Sequence, residues 1–345
     1  MESSTLPVHM GGLGVSVCML APSAFLASAA ATLPLQDVIF AGLVQNIEDH
    51  TVTEAEYLRM LLMVQANTTF STETSKHIQK AWDMQITAAM FQRLSDDDSN
   101  TSTDMARLRE ADAPHSGDLL HVPPVTVVGL SLSDDAIRIA VSYCPGCAMC
   151  QPYFCVFSAM VNKTGLHGLL CKKNVPRYIR QAQLNDIILR AVKRAQYPSV
   201  KEPVGLSCSD GKSPDGATLI PWARGKPFAW DSTIADMYAI SYVGKKSGGG
   251  RRPIHTLATR AAVAADQAAS SKTAKCTELS KTHHFTPIAI ETCGSWNDLA
   301  IEFITEFGKR IAVLTQEPRE CSVYFRVALQ RGNVVAFQNT FPAEH

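Results

Sequence analysis

The sequence predicts an α+β protein: a helical N-terminal region, a short cysteine- and histidine-rich segment, then a domain of order αβββαβα. Three observations carry this. Apolar residues recur at helical spacing through residues 52–93, five cysteines crowd into 28 residues near the middle of the chain, and beyond residue 177 the hydrophobic period changes from helical to strand-like and back. The divisions expected are 1–140, 141–176 and 177–345. With 345 residues, 46% hydrophobic and 19% charged, the chain can bury one large core or two to three ordinary ones, which excludes disorder as its main state.

The apolar run from Gly11 to Val44 reads as buried helix. It lacks the basic start of a signal peptide, since Arg59 is the first lysine or arginine, and Pro22 and Pro34 are expected to divide it into pieces too short to cross the roughly 30 Å of a bilayer core. The protein is therefore expected in the nucleus or cytoplasm, not secreted and without a membrane partner. Helix follows over 52–93, with Leu58, Leu61, Leu62 and Val64 on one apolar face and Ile78, Trp82, Ile86, Met90 and Leu94 near a spacing of four. The polar run Ser95–Asp104 is a loop or linker. A short helix lies near Ala136–Val141.

Cys144, Cys147, Cys150, Cys155 and Cys171 come next, while Cys18, Cys208, Cys276, Cys293 and Cys321 are scattered. In a reducing compartment a tight cluster suits a metal site better than a disulfide framework. Arg177–Gln196 is an amphipathic basic helix. Val200–Leu206, Ala217–Trp222 and Pro227–Ala235 are β-prone runs bounded by Pro, Gly or Asp. A basic glycine-rich loop at Lys245–Arg252, helix over His255–Lys281, a strand at Phe285–Glu291 and a helix at Trp296–Leu314 complete the order.

Lysine plus arginine and aspartate plus glutamate both total 32, yet the balance is uneven. Met1–Cys171 carries −9, Lys172–Lys281 +11 and Thr282–His345 −2. Phosphates are neutralised locally, so the middle segment suits a polyanion, though a solvated lysine-rich helix would give the same count.

Asp215, in the turn Ser213-Pro-Asp-Gly216, and Asp231, in the following strand, are the candidate chemical pair. A connection centred near Arg224 sets Asp231 opposite Ala217, making the carboxylates diagonal neighbours on one sheet face; a register two residues away would make them direct ones. Such a pair binds a hard cation such as Mg²⁺, with Glu202 as a third ligand. Ordinary turn chemistry is the other reading, because Pro-Asp-Gly is a common β-turn.

Several stretches, in order through nearly the whole chain, carry a resemblance. They are Leu6-Pro-Val-His-Met-Gly-Gly-Leu-Gly14, Pro114-His-Ser-Gly-Asp118, Gly165-Leu-His-Gly-Leu-Leu-Cys171, Leu184-Asn-Asp-Ile-Ile188, Pro198-Ser-Val-Lys-Glu-Pro203, Asp210-Gly-Lys-Ser-Pro-Asp-Gly216, Trp230-Asp-Ser-Thr-Ile-Ala-Asp236 and Pro287-Ile-Ala-Ile-Glu-Thr292. Together they resemble the C-terminal part of the polyprotein of non-LTR retrotransposons that carry a restriction-like endonuclease. The resemblance implies a linker of the kind that follows a reverse transcriptase thumb, a zinc knuckle and a nuclease of the PD-(D/E)XK fold. It implies Asp215 and Asp231 as catalytic Mg²⁺ ligands, and DNA, or RNA in its place, as partner. Cys150, Cys155, His167 and Cys171 would hold a structural Zn²⁺, with Phe157 beside them where the family has a cysteine. No Tyr-x-Asp-Asp polymerase motif is present, so the chain looks like a truncated element or a gene derived from one. Gln181 replaces a family histidine, and Thr233 stands where the fold's lysine is usual. Lys212, Lys272 and Lys275 are the candidates to supply that lysine. The function expected is metal-dependent DNA nicking; the alternative is a non-catalytic, zinc-stabilised nucleic-acid-binding protein.

Overall fold

A computed structural model describes residues 6–10, 12–14, 17–40, 50–65, 78–97, 100–121, 126, 131–143, 145–155, 157–167, 171, 176–236, 261–292, 294–318, 329–331 and 334. It divides into two units, Met1–Asn100 and Thr101–His345.

The first unit holds helices α1 (Val17–Ile39), α2 (His50–Gln65) and α3 (Gln79–Ser95). Leu26 and Ala27 of α1, Ala55 of α2 and Trp82 of α3 form its core, and the Arg59 guanidinium lies 4.2 Å from the Trp82 ring centre. Pro22 and Pro34 do not divide α1, contrary to expectation: each removes one backbone donor, but the helix continues through both. Pro22, Ser23, Leu26 and Ala27 form a buried patch that holds it in place. Among the described residues no helix is long and apolar enough to cross a membrane. The expected apolar face of α2 is not buried either, since Leu58, Leu61 and Val64 are exposed and Ala55 and Arg59 face inward.

The second unit begins inside the run read as a loop. Thr101 accepts from the Asp104 backbone and Asp104 accepts from the Thr101 backbone, a capping box that starts α4 (Ser102–Ala111) within that polar stretch. Helices α5 (Asp118–His121) and α6 (Asp134–Tyr143) follow, then a two-stranded hairpin of β1 (Tyr153–Phe154) and β2 (Met160–Val161).

The remainder is α7 (Pro176–Arg194), β3 (Ser199–Lys201), β4 (Gly216–Ala223), β5 (Lys226–Ala235), α8 (Val263–Lys275), the short α9 (Leu279–Thr282), β6 (His284–Glu291) and α10 (Asp298–Thr315). The sheet order is β3-β4-β5-β6, antiparallel except for the parallel β5–β6 pair. The parallel pair needs a crossover, which α8 and α9 occupy. Only Val200 and Lys201 of the first β-prone run join the sheet, with Ser199 before them. Glu202 and Gly205 take positive φ around Pro203, which bends the chain away after β3.

Alternation along the strands separates two faces. Phe228 and Trp230 of β5 and Ile288 and Ile290 of β6 pack with Leu184, Ile188 and Val192 of α7 and Phe303, Phe307 and Ile311 of α10 in the main core. Ala229 and Ala289 point to the other face, where Ala265 and Ala269 of α8 meet Ala289. These methyl-sized contacts let α8 lie close to the sheet. Asp215 and Asp231 share the parity of Ala217 and Ala229, and therefore this second face.

Candidate functional site

The hairpin β4–β5 turns at Arg224-Gly225, both with positive φ, as a two-residue connection requires. Near the turn Ala223 pairs with Lys226, but irregularities between Ala217 and Ala223 shift the register, so that Ala217 faces Ala229 and Gly216 faces Trp230. Continuing that register sets Asp215 directly opposite Asp231. The diagonal pairing expected from a regular hairpin is therefore corrected by two residues, and the cause is the bulged stretch, which the turn position alone does not reveal. Gly216 has a separate reason to lack a side chain: a Cβ there would lie 2.1 Å from the Trp230 ring.

Asp215 and Asp231 line one open cleft of about 300 Å³ with Gln181, Asp210, Lys212, Ser213, Thr233, Lys272 and Lys275, and with Cys208 and Cys276. Ser232 donates its backbone N–H to Asp215 Oδ2 at 2.7 Å and its hydroxyl to the same oxygen. That fixes the carboxylate and leaves Oδ1 for a ligand. Asn185, itself buried, donates to the Asp215 carbonyl at 3.1 Å and accepts from Trp230 Nε1 at 2.9 Å, tying the β4 start to α7. Gln181 donates to the Ser232 carbonyl. Lys272 Nζ reaches both oxygens of Asp231 at 2.7 Å. Burial pushes the Asp231 carboxyl above its usual range; Lys272 opposes this, while Asp215 and Asp210 add to it.

Not every expected residue joins the cleft. Glu202 donates its backbone N–H to the Asp215 carbonyl, but its side chain is exposed and is not among the cleft's lining residues. Lys212 lines the cleft from an exposed loop, and Lys275 pairs with Asp210 at 3.2 Å. Lys272 is the lysine set against a carboxylate of the candidate pair, at a position on α8 remote in sequence from Asp231. Ser232, Asn185 and Asp210 lie in stretches quoted for the resemblance, but the sequence assigned them no role, and the fold reveals it.

Cys208 and Cys276, read from sequence as scattered thiols, are joined by a disulfide. Their separation of 68 residues hides the pairing in the sequence.

In the β1–β2 hairpin, Cys155 opens the turn: its carbonyl accepts from Ser158, whose φ is positive, and its N–H donates to Ala159. His167 and Cys171 are one helical turn apart, with the Cys171 N–H donating to the His167 carbonyl at 2.9 Å. One ligand atom from each of Cys155, His167 and Cys171 comes within 4.8 Å of the others, so the group could hold a metal ion. His167 Nε2 is buried without a hydrogen-bond partner among the described residues, which fits a ligand better than a packed imidazole. Cys150 is not in the group; its thiol donates to the Asn162 carbonyl at 3.4 Å, and burial raises its pKa. Phe157, expected beside the ligands, is 45% exposed. Cys147 is exposed and free, and Cys144 lies outside the described residues, as does the Lys245–Arg252 loop.

No family model matches the chain, and comparison with curated proteins gives no match.

Proposed function

We propose that the protein is a metal-dependent DNA-nicking endonuclease with a PD-(D/E)XK-like domain, derived from a non-LTR retrotransposon of the kind its sequence resembles. The observation that carries this is that Asp215, just before β4, and Asp231 of β5 line one cleft, with Lys272 against Asp231. Two carboxylates on one sheet face are the oxygen donors a small hard cation such as Mg²⁺ takes. The cation, when bound, would supply charge neutralisation at the phosphate and a more acidic water. Ser232 holds Asp215 so that one oxygen remains available, and Asn185 holds the backbone beneath it. Lys272 places an ammonium beside the scissile phosphate. Lys212 and Lys275 add positive charge along the cleft for the DNA backbone.

Cys155, His167 and Cys171 are proposed as zinc ligands that fix the hairpin to the chain before α7. Cys150 would complete the set on leaving the Asn162 carbonyl. A thiolate-rich site contributes folding free energy to a segment too short to form a core.

A second reading has its own observation. Lys272 already neutralises Asp231 through both oxygens, an arrangement that suits a basic scaffold needing no cation. Nicking of supercoiled DNA with Mg²⁺ or Mn²⁺ separates the two. The nuclease reading expects nicking by the wild type and its loss in Asp215→Asn and Asp231→Asn, with DNA binding kept. Nicking that survives both substitutions refutes the assignment, and absence of nicking with every metal supports the scaffold.

A further inference from the structure

We propose that Cys208–Cys276 is a redox-controlled strap on the candidate cleft, ordered when the bond is formed and released by a dithiol reductant. What the cleft does rests on the nuclease reading; the strap itself does not.

Both half-cystines line the cleft and are buried in one cluster with Ala217, Ala229 and Leu279, so the bond lies where the wall of the site meets the packing behind it. Each end is tied to a component of the chemistry. Cys276 directly follows α8 and lies one turn beyond Lys272, with its N–H donating to the Lys272 carbonyl at 3.0 Å. Cys208 sits in the loop between β3 and β4 that leads through Asp210, Lys212 and Ser213 to Asp215. That loop makes a tight turn, with Cys208 N–H donating to the Lys212 carbonyl and Gly211 N–H to the Cys208 carbonyl. Apart from the disulfide, among the described residues this turn and the end of α8 share one backbone bond, Ser209 N–H to Lys275 carbonyl at 2.9 Å, one half-exposed ion pair, Asp210 with Lys275, and the packing of Cys208 in one cluster with Cys276 and Leu279. Exposed ion pairs hold little, so the covalent bond dominates this attachment.

Both cysteines are buried at the cleft wall, Cys208 8% and Cys276 1% exposed, so a small dithiol reaches the sulfurs from the cleft when the Cys208 turn opens. One thiolate of the reductant attacks a cysteine sulfur, forming a mixed disulfide and expelling the other cysteine as a thiolate, which takes a proton. The second thiol of the reductant then displaces the first cysteine. The protein gains two thiols, and the reductant leaves as its own disulfide, so two electrons and two protons are transferred. A disulfide in a chain expected in a reducing compartment belongs to the transient, sensing kind. Release leaves the turn tied to α8 only by the Ser209–Lys275 bond, the Asp210–Lys275 pair and packing, so the loop that leads to Asp215 loosens against the helix end that carries Lys272.

The test uses the full-length protein and trypsin, whose cleavage after Lys212 reads the loop. Oxidised protein should resist cleavage there, and reduced protein should be cut there about tenfold faster or more, since opening equilibria govern cleavage when reclosing is fast. A dithiol also competes for metal at Cys155, His167 and Cys171, so a Cys208→Ser/Cys276→Ser variant is the control. It should match the reduced wild type and no longer respond to dithiol. Equal cleavage of oxidised and reduced wild type, or a response that persists in the double variant, overturns the strap. Mass mapping that finds both cysteines alkylated before reduction overturns it as well. Nicking is measured in parallel. Slower nicking in both the reduced protein and the double variant supports control of the cleft, and no nicking in any form removes the nuclease reading while the trypsin result still decides the strap.

Discussion

Asp231 and Glu291 are both buried acids, and they resolve their burial differently. Asp231 has an ammonium partner in Lys272. Glu291, fully buried at the end of β6, has another acid near it, Glu110 of α4, which accepts from Ser295 and from the Ala262 N–H at 2.8 Å, while Glu291 accepts from Ala265 N–H at 2.9 Å and its Oε2 is buried without a hydrogen-bond partner among the described residues. Burial first, and the neighbouring Glu110 second, push the Glu291 carboxyl up to about 9. Asp266 is a further nearby negative charge, raising the Glu110 carboxyl. Glu291 thus keeps its proton in the folded state, near Glu110 at the start of the helix that carries Lys272. The folded state binds that proton more tightly than the unfolded chain, so its stabilising effect is complete below the ordinary glutamate range and is lost as pH rises toward about 9. Glu291→Gln keeps the side chain's shape and its acceptor for the Ala265 N–H without the titration. Melting temperatures measured from pH 5 to 9 should fall with pH in the wild type more steeply than in Glu291→Gln, and parallel curves would show that the pair is not proton-linked.

The elements that follow the cysteine cluster were largely legible. Periodicity and breakers in residues 177–314 predict the order αβββαβα, and the observed α7, β3–β5, α8, β6 and α10 follow it. Long amphipathic and alternating segments announce themselves because burial of one face imposes a period. What was not legible depends on contacts distant in sequence or on local backbone irregularity. The register of Asp231 against Asp215 is set by bulges near Pro221, the Cys208–Cys276 bond spans 68 residues, and the capping box at Thr101 hides in a polar run. Gly216 shows how closely the site depends on the sheet, because it admits the Trp230 ring beside the residue that follows Asp215. Gly216→Ala should destabilise by about 1–3 kcal/mol, as overpacking does, and slow nicking as Asp215 shifts; an unchanged melting temperature would mean that Trp230 has room to move. The hairpin gives a separate test. His167→Ala should remove bound zinc, about one ion per chain by elemental analysis on the tetrahedral-site expectation, and zinc content that does not change would point instead to Cys144 and Cys147 as ligands.

Zero net charge describes no part of this chain. Met1–Cys171 carries −9 and Lys172–Lys281 +11, and the positive share falls on the segment that contains α7, the cleft and α8. Arg190, Lys193 and Arg194 are exposed on α7, and Lys212 and Lys275 are exposed at the cleft, so these charges stand in water where phosphates can reach them. A uniformly neutral surface would bind DNA weakly and with little salt dependence. Local basic charge instead exchanges condensed counterions for protein contacts, and each phosphate neutralised on a duplex should contribute about 0.9 to the slope of log affinity against log salt. Full-length protein should therefore bind duplex DNA with a slope of several units and little sequence preference. Lys212→Ala or Arg194→Ala should make the slope shallower by about one unit where that side chain contacts phosphate. Asp215→Asn should leave the slope unchanged and the affinity equal or higher, because removing a carboxylate lowers repulsion with phosphate. Binding and cleavage would then be separable, with binding set by the basic face and cleavage by two carboxylates. Affinity that hardly changes between 50 and 200 mM salt would sink the DNA-binding claim, and the basic charge of Lys172–Lys281 would then be a solvated surface.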